Sequence, residues 1–254
     1  MSAVLLHLES VGVHFGALKA VDQVSFDLHQ GERVAILGPN GAGKTTLFNA
    51  ITGMNLATQG EIYFANKSIT KASPNYRAQL GIARTFQITN LFFGLSVEDN
   101  LLLAIRGLQK SKFSFWRSNQ PISVEESIIQ SALTRCRLNQ QRKILVKDIS
   151  YGEQRQLELA MSLTSSPKVL LLDEPAAGLS PAERVVMAEV IQDLPQDLAM
   201  ILIEHDIELA LGLVDRVICM YQGSILVEGK PDEIRGNQQV QEIYLGKPRH
   251  ARSH

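Results

Sequence analysis

The run Gly38-Pro39-Asn40-Gly41-Ala42-Gly43-Lys44-Thr45-Thr46 follows the apolar segment Arg33–Leu37 and leads into the apolar segment 47–51. A strand that turns through such a loop into a helix restricts the chain to few folds. The glycines let successive backbone N–H groups aim inward, and the helix that follows adds its positive pole. The spacing GxxxxGK[ST] therefore reads as a phosphate cradle built by residues 38–46, with Lys44 reaching the terminal phosphates and the Thr45 hydroxyl free to ligate Mg²⁺.

Apolar runs of strand length recur at 4–8, 61–64, 168–172, 198–203, Arg216–Tyr221 and 225–227. Several are continuous rather than alternating, as expected of parallel strands covered on both faces by helices. The fold class expected is α/β. Ser/Glu pairs three residues apart mark helix starts, because each side chain satisfies an otherwise orphaned N–H of the other's backbone. Such boxes stand at Ser123 with Glu126, Ser150 with Glu153, and Ser180 with Glu183, the last with Pro181 at the favoured first helical position. Residues 74–164 read as a helical insert with a polar loop near 109–121.

The chain of 254 residues, 45% hydrophobic and 20% charged, is long enough for one large domain with a subdomain. Its 25 basic and 26 acidic side chains nearly cancel, with no long run of one sign, so the electrostatic footprint of a nucleic-acid binder is missing. Cys136 and Cys219 lack a CxxC partner and read as reduced thiols in a core. Residues 1–10 carry no basic n-region, and no apolar stretch approaches the ~18 residues of a membrane span. A role at a membrane would be played from outside the lipid.

The cradle alone does not separate kinases, GTPases and ATPases. A GTPase base reader needs Asn-Lys-x-Asp, whereas Asn66-Lys67 continues into Ser68-Ile69. The buried run 168–172 ends in Asp173-Glu174-Pro175, which places one carboxylate at a strand end, where it can hold Mg²⁺ through water, and a second where it can polarise attacking water.

Ahead of that strand, Ser150-Tyr151-Gly152-Glu153-Gln154 resembles the signature loop of ATP-binding cassette (ABC) proteins. Its physical content is a second helix N-terminus, with Ser150, Gly152 and Gln154 suited to a γ-phosphate. The resemblance implies a P-loop NTPase core with a mostly parallel sheet, an antiparallel β subdomain and a helical subdomain. It implies one domain over 4–249, with a RecA-like core at about 1–73 and 166–230, a helical subdomain at about 74–165 and a helical tail at about 231–249. It also implies ATP and Mg²⁺ as ligands, Gln87 in Arg84-Thr85-Phe86-Gln87 as the Q-loop glutamine touching Mg²⁺ and the γ-phosphate, His205 as the switch histidine, and Phe15 as the aromatic stacked on adenine. Catalysis would fall to Glu174, His205, Gln87 and Lys44, and the metal to Thr45, Gln87 and Asp173.

Within the superfamily, residues 15–21, 81–87, 150–152 with 157–160, 174–179 and 242–246 resemble the ATPase subunits of bacterial branched-chain amino acid importers. Relatives for urea, short amides, aromatic acids or lipids, and soluble regulatory ATPases without membrane partners, are the alternatives. A small-molecule phosphotransferase is a further rival. The resemblance implies a second cassette, a copy or a paralogue, so that ATP is gripped between Lys44 of one and Ser150 of the other. It also implies integral membrane permeases docked near Gln87, indirectly a solute-binding protein, no nucleic acid, and a peripheral place on the cytoplasmic face of the inner membrane. Leu91, Phe92 and Phe93 are candidates for the docking contacts or for core. Two residues depart from the general pattern: Tyr151 stands where a Gly is usual, and Ser180 where an Asp commonly reaches across the dimer.

Overall fold

The computed structural model describes residues 3–85, 91–107 and 122–245. In chain order these form β1 (Val4–Phe15), β2 (Leu18–His29), β3 (Arg33–Leu37), α1 (Lys44–Thr52), β4 (Gln59–Phe64), β5 (Lys67–Ser68), α2 (Pro74–Leu80), β6 (Ile82–Arg84), α3 (Val97–Gly107) and α4 (Ile122–Arg135). They continue with α5 (Tyr151–Leu163), β7 (Val169–Asp173), α6 (Pro181–Gln192), β8 (Ala199–Ile203), α7 (Ile207–Leu211), β9 (Arg216–Tyr221), β10 (Ser224–Gly229), α8 (Pro231–Arg235) and α9 (Gln238–Leu245). The chain divides into two compact units, Met1–Pro74 with Met200–His254, and Asn75–Ala199.

In the first unit β1 and β2 form an antiparallel hairpin in which Phe15 faces Leu18. β4 pairs with the other edge of β1 and with β5, giving the order β2-β1-β4-β5. The β4–β5 turn, Ala65-Asn66, has both residues left-handed at φ 47 and 63, the two-residue turn whose twist matches that of paired strands. β2 alternates buried and exposed residues, as a sheet with one wet face requires.

The same unit holds β3 between β8 and β9, all parallel, with β10 antiparallel on β9. β8 is buried along its whole length and β3 from Val34 to Leu37, which explains why both lack an alternating pattern.

In the second unit β6 runs parallel to β7, with Arg84 opposite Leu171. Helices α3, α4 and α5 pack on one another, and they bury Val97, Leu101, Ile105, Ile129, Leu133 and Leu157. Ahead of α3, the buried Asn100 side chain holds the loop from Phe92 to Ser96. Its Oδ1 accepts from the Phe92 N–H at 2.8 Å, and its Nδ2 donates to the carbonyls of Phe92 and Ser96 at 3.1 and 2.9 Å. One expected cap is corrected: α4 begins at Ile122, so Ser123 lies inside its first turn instead of preceding it, and the Glu126 carboxylate accepts from Arg142 at 2.7 Å.

Both cysteines are buried, and burial pushes the Cys136 thiol up to about 12 and the Cys219 thiol up to about 11, leaving both protonated. Among the described residues no helix is long and apolar enough to cross a membrane.

Candidate active site

The predicted site residues fall into two groups, one in each unit. In the first unit, β3 ends at Leu37 and the chain passes through Gly38–Gly43 into α1. The glycines are required for different reasons. A Cβ on Gly38 would lie 2.4 Å from the Met220 carbonyl oxygen, and one on Gly43, at φ 100, would lie 2.3 Å from that of Ala20. Gly41 has open space around it but sits at φ 80, which an L side chain rarely adopts. Gly43 caps α1 without a side-chain hydrogen bond, and the first turn of α1 has no acidic residue, so no carboxylate of the helix itself meets its positive pole. The buried Lys44 lays its ammonium back over the loop, donating to the carbonyls of Gly38 at 2.6 Å and Pro39 at 3.2 Å. Asn40 and Thr45 are exposed, and Thr46 and Pro39 half-buried.

Two further residues join this group through sheet register. Ala20, whose carbonyl lies against Gly43, follows closely on Leu18, the hairpin partner of Phe15. Phe15 is 52% exposed, so it is not a core aromatic. Ile36 of β3 faces Ile203 of β8, and two residues beyond each come Gly38 and His205. His205 is exposed, and its N–H donates at 3.1 Å to the carboxylate of the buried Glu204.

In the second unit, Asp173 ends β7 fully buried, its Oδ2 accepting from the Arg84 guanidinium at 2.6 Å. Glu174 follows at φ 52, the left-handed region a non-glycine residue enters only when its surroundings impose it. The turn closes with the Ala177 N–H donating to the Glu174 carbonyl at 3.1 Å.

Ser150 caps α5 as expected: its Oγ accepts from the Glu153 N–H at 3.2 Å, and Glu153 accepts from the Ser150 N–H at 2.7 Å. Gln154 turns its amide back to the carbonyls of Val146 and Ile149 at 3.4 and 3.3 Å, bracing the segment before α5. Tyr151 is half out in solvent, its hydroxyl accepting from Arg155 at 3.0 Å, and a Cβ on Gly178 would come within 3.1 Å of its ring.

Sequence reasoning missed two contacts: the Arg84 pair with Asp173, and the carboxylate of Glu183, which accepts from the Gly152 N–H at 3.0 Å. Glu183 is held below the usual carboxylate range first by the Ser180 N–H, then by the Ser180 hydroxyl and the Gly152 N–H. The capping box at Ser180 was the available signal, but it pointed only to α6. Gln87 lies outside the described residues, as does the polar loop at 109–121.

The model of the ABC transporter family matches residues 21–177, more than half of the chain. The chain belongs to this family. A second model, described as a branched-chain amino acid ATP-binding cassette transporter, matches residues 224–250 of the cassette. The cassette is 37% identical to the high-affinity branched-chain amino acid transport ATP-binding protein LivG of Salmonella typhimurium, covering 97% of this chain and all of the relative. It is 34% identical to the corresponding protein BraF of Pseudomonas aeruginosa over the same shares. Among solved structures, the ADP conformation of an ATP-binding cassette of an ABC transporter superposes with a TM-score of 0.86 at 30% identity, over 96% of this chain and all of that one. The cassette is thus an ATP-binding, ATP-hydrolysing α/β protein, and the phosphotransferase reading falls.

Proposed function

We propose that the cassette powers an importer of branched-chain amino acids, working as one of a pair. The observation that carries the solute class is the match at residues 224–250, a segment outside the ATP-binding motifs, to a family described by that solute. The full-length likeness to LivG and BraF agrees with it.

In this reading Phe15 stacks on the adenine, the N–H groups of residues 38–46 hold the phosphates, and Lys44 draws off charge from the terminal ones. A water oxygen attacks the γ-phosphorus, the bond to the bridging oxygen breaks, and ADP and phosphate leave. Glu174 orients and polarises that water, while His205 and Gln87 meet the γ-phosphate. The oxygen donors Thr45 and Asp173, with Gln87, suit Mg²⁺, which keeps several waters and takes few protein ligands. When bound, Mg²⁺ would supply neutralisation of phosphate charge.

The partner cassette, a copy or a paralogue, contributes Ser150 and Gly152 to the γ-phosphate, while Gln154, its amide turned to the Val146 and Ile149 carbonyls, braces the loop that presents them. ATP closes the pair because it has higher affinity for the closed state, and its hydrolysis removes the group that held it shut. Permeases in the inner membrane, with the cassette on their cytoplasmic face, would turn closure into transport, fed by a solute-binding protein outside. Phe92 and Phe93 are 55% and 43% exposed while Leu91 is buried, so the two aromatics are the ones open to a docking role.

Uptake of labelled leucine by cells lacking the cassette, with and without its restoration, tests the solute. Restored leucine uptake, competed by isoleucine and valine but not by urea, short amides or aromatic acids, is expected. Uptake competed only by one of the latter overturns the solute class, and a cassette that co-purifies with no membrane protein overturns the transport reading.

A further inference from the structure

The N-terminus of α5 has its capping groups supplied from two helices. Ser150 and Glu153 satisfy each other locally, while Glu153 also accepts from the Gln141 amide at 2.6 Å. The N–H of Gly152 instead donates to Glu183, 31 residues further on at the start of α6. The contact is close: a side chain at Gly152 would come within 2.6 Å of the Glu183 Oε1.

The two oxygens of Glu183 have different duties. Oε2 accepts from the Ser180 N–H at 3.0 Å and the Ser180 hydroxyl at 2.8 Å, completing the cap of α6. Oε1 alone reaches Gly152, so that bond can be given up while α6 keeps its cap. The Tyr151 ring packs close to Gly178, where a Cβ would come within 3.1 Å of it.

We propose that the Glu183 carboxylate is an internal occupant of the anion pole of α5, displaced when the nucleotide held by the partner cassette arrives. An oxygen 3.0 Å from the Gly152 N–H stands where a phosphate oxygen would stand, and two anions cannot share that donor without repulsion. Glu183 thereby sets the ATP concentration at which the pair closes, and it acts as a positioning residue through Gly152. Ser180, at the place where an Asp commonly serves the dimer, instead anchors this device. The proposal rests on the reading in which Ser150 and Gly152 take the γ-phosphate.

The test uses the full chain, with the second cassette of its transporter where the two are unlike, and ATP-driven dimerisation measured by light scattering in the hydrolysis-blocked Glu174→Gln background. Glu183→Gln weakens the bond that holds the open state, so half-maximal closure should need about tenfold less ATP. The KM for ATP in the hydrolysing protein should fall in parallel without a rise in kcat. Glu183→Asp, one methylene shorter, keeps the charge and the Ser180 bond but withdraws from Gly152, and should shift closure the same way even if Glu183→Gln folds poorly. An unchanged or raised ATP requirement in either folded variant overturns the proposal. Ser150→Arg separates the two layers: if it leaves ATP-driven dimerisation intact, the γ-phosphate reading itself fails, whereas its loss with no shift in the Glu183 variants sinks only the displacement.

Discussion

The Arg84 guanidinium donates to the Asp173 carboxylate across 2.6 Å, with the two side chains 10% and 0% exposed. The carboxylate assigned to the metal is thus already paired with a cation of the chain. Breaking a buried pair by removing one partner destabilises by about 3–5 kcal/mol. Arg84→Met, which keeps much of the stem, should lower unfolding stability by about 3 kcal/mol in urea titrations, and by less when Mg-ATP is present because a second cation then faces Asp173. A loss below about 1 kcal/mol would show that the pair contributes little.

The glycines of the phosphate loop should fail in a fixed order. Gly43→Ala drives a methyl against the Ala20 carbonyl and should abolish binding of a fluorescent ATP analogue, with a cost of about 2–3 kcal/mol in stability. Gly41→Ala meets nothing and incurs only its backbone conformation, about 1–2 kcal/mol. Equal damage from both would contradict the packing described.

Phe15→Ala should weaken ATP binding by roughly tenfold, within the ~1–3 kcal/mol of base stacking, with little change in melting temperature because the ring is half in solvent. Isothermal titration with ATP and with a triphosphate lacking a base separates stacking from loop damage, since only the former spares the baseless ligand.

Glu174→Gln should retain ATP binding and lose about 100-fold or more in turnover, as for a positioned base. Wild-type phosphate release in a verified variant would remove Glu174 from its role.

Acid should weaken the helical part of the chain through Glu98. Hydrogen bonds from Arg142 and then Lys143 hold its carboxyl at about 2, against 4.5 for the free group. A lowered folded value means that the stabilisation is fully present above pH 4.5 and is lost as the pH falls from there towards 2. Solvent around the cluster reduces the effect to about 1–2 kcal/mol. Melting curves between pH 5 and 3 should therefore drop less steeply in Glu98→Gln than in the parent, and parallel curves would refute the linkage.

The parts of the fold legible in the sequence were those governed by local chemistry. β3 and β9 coincide with continuous apolar runs, and the boxes at Ser150 and Ser180 mark the true starts of α5 and α6. β2 escaped because its apolar residues alternate with wet ones, so no run announces it. β6 is only three residues long and lies within a motif read for its chemistry. The Arg84–Asp173 pair joins residues 89 apart, and the left-handed Glu174 is imposed by the turn after β7, so neither leaves a local trace. Glu183 was visible as a cap for its own helix, but its second duty depends on how α5 and α6 pack.

With no side-chain cap and no acidic residue in its first turn, the N-terminus of α1 keeps its positive pole for the phosphates of the nucleotide. A fold that leaves such a pole to its substrate defers part of its cohesion: at a hundredfold excess over the dissociation constant, bound nucleotide adds about 2.7 kcal/mol. The nucleotide-free cassette should therefore open more often than the loaded one, and an added protease should cut it faster.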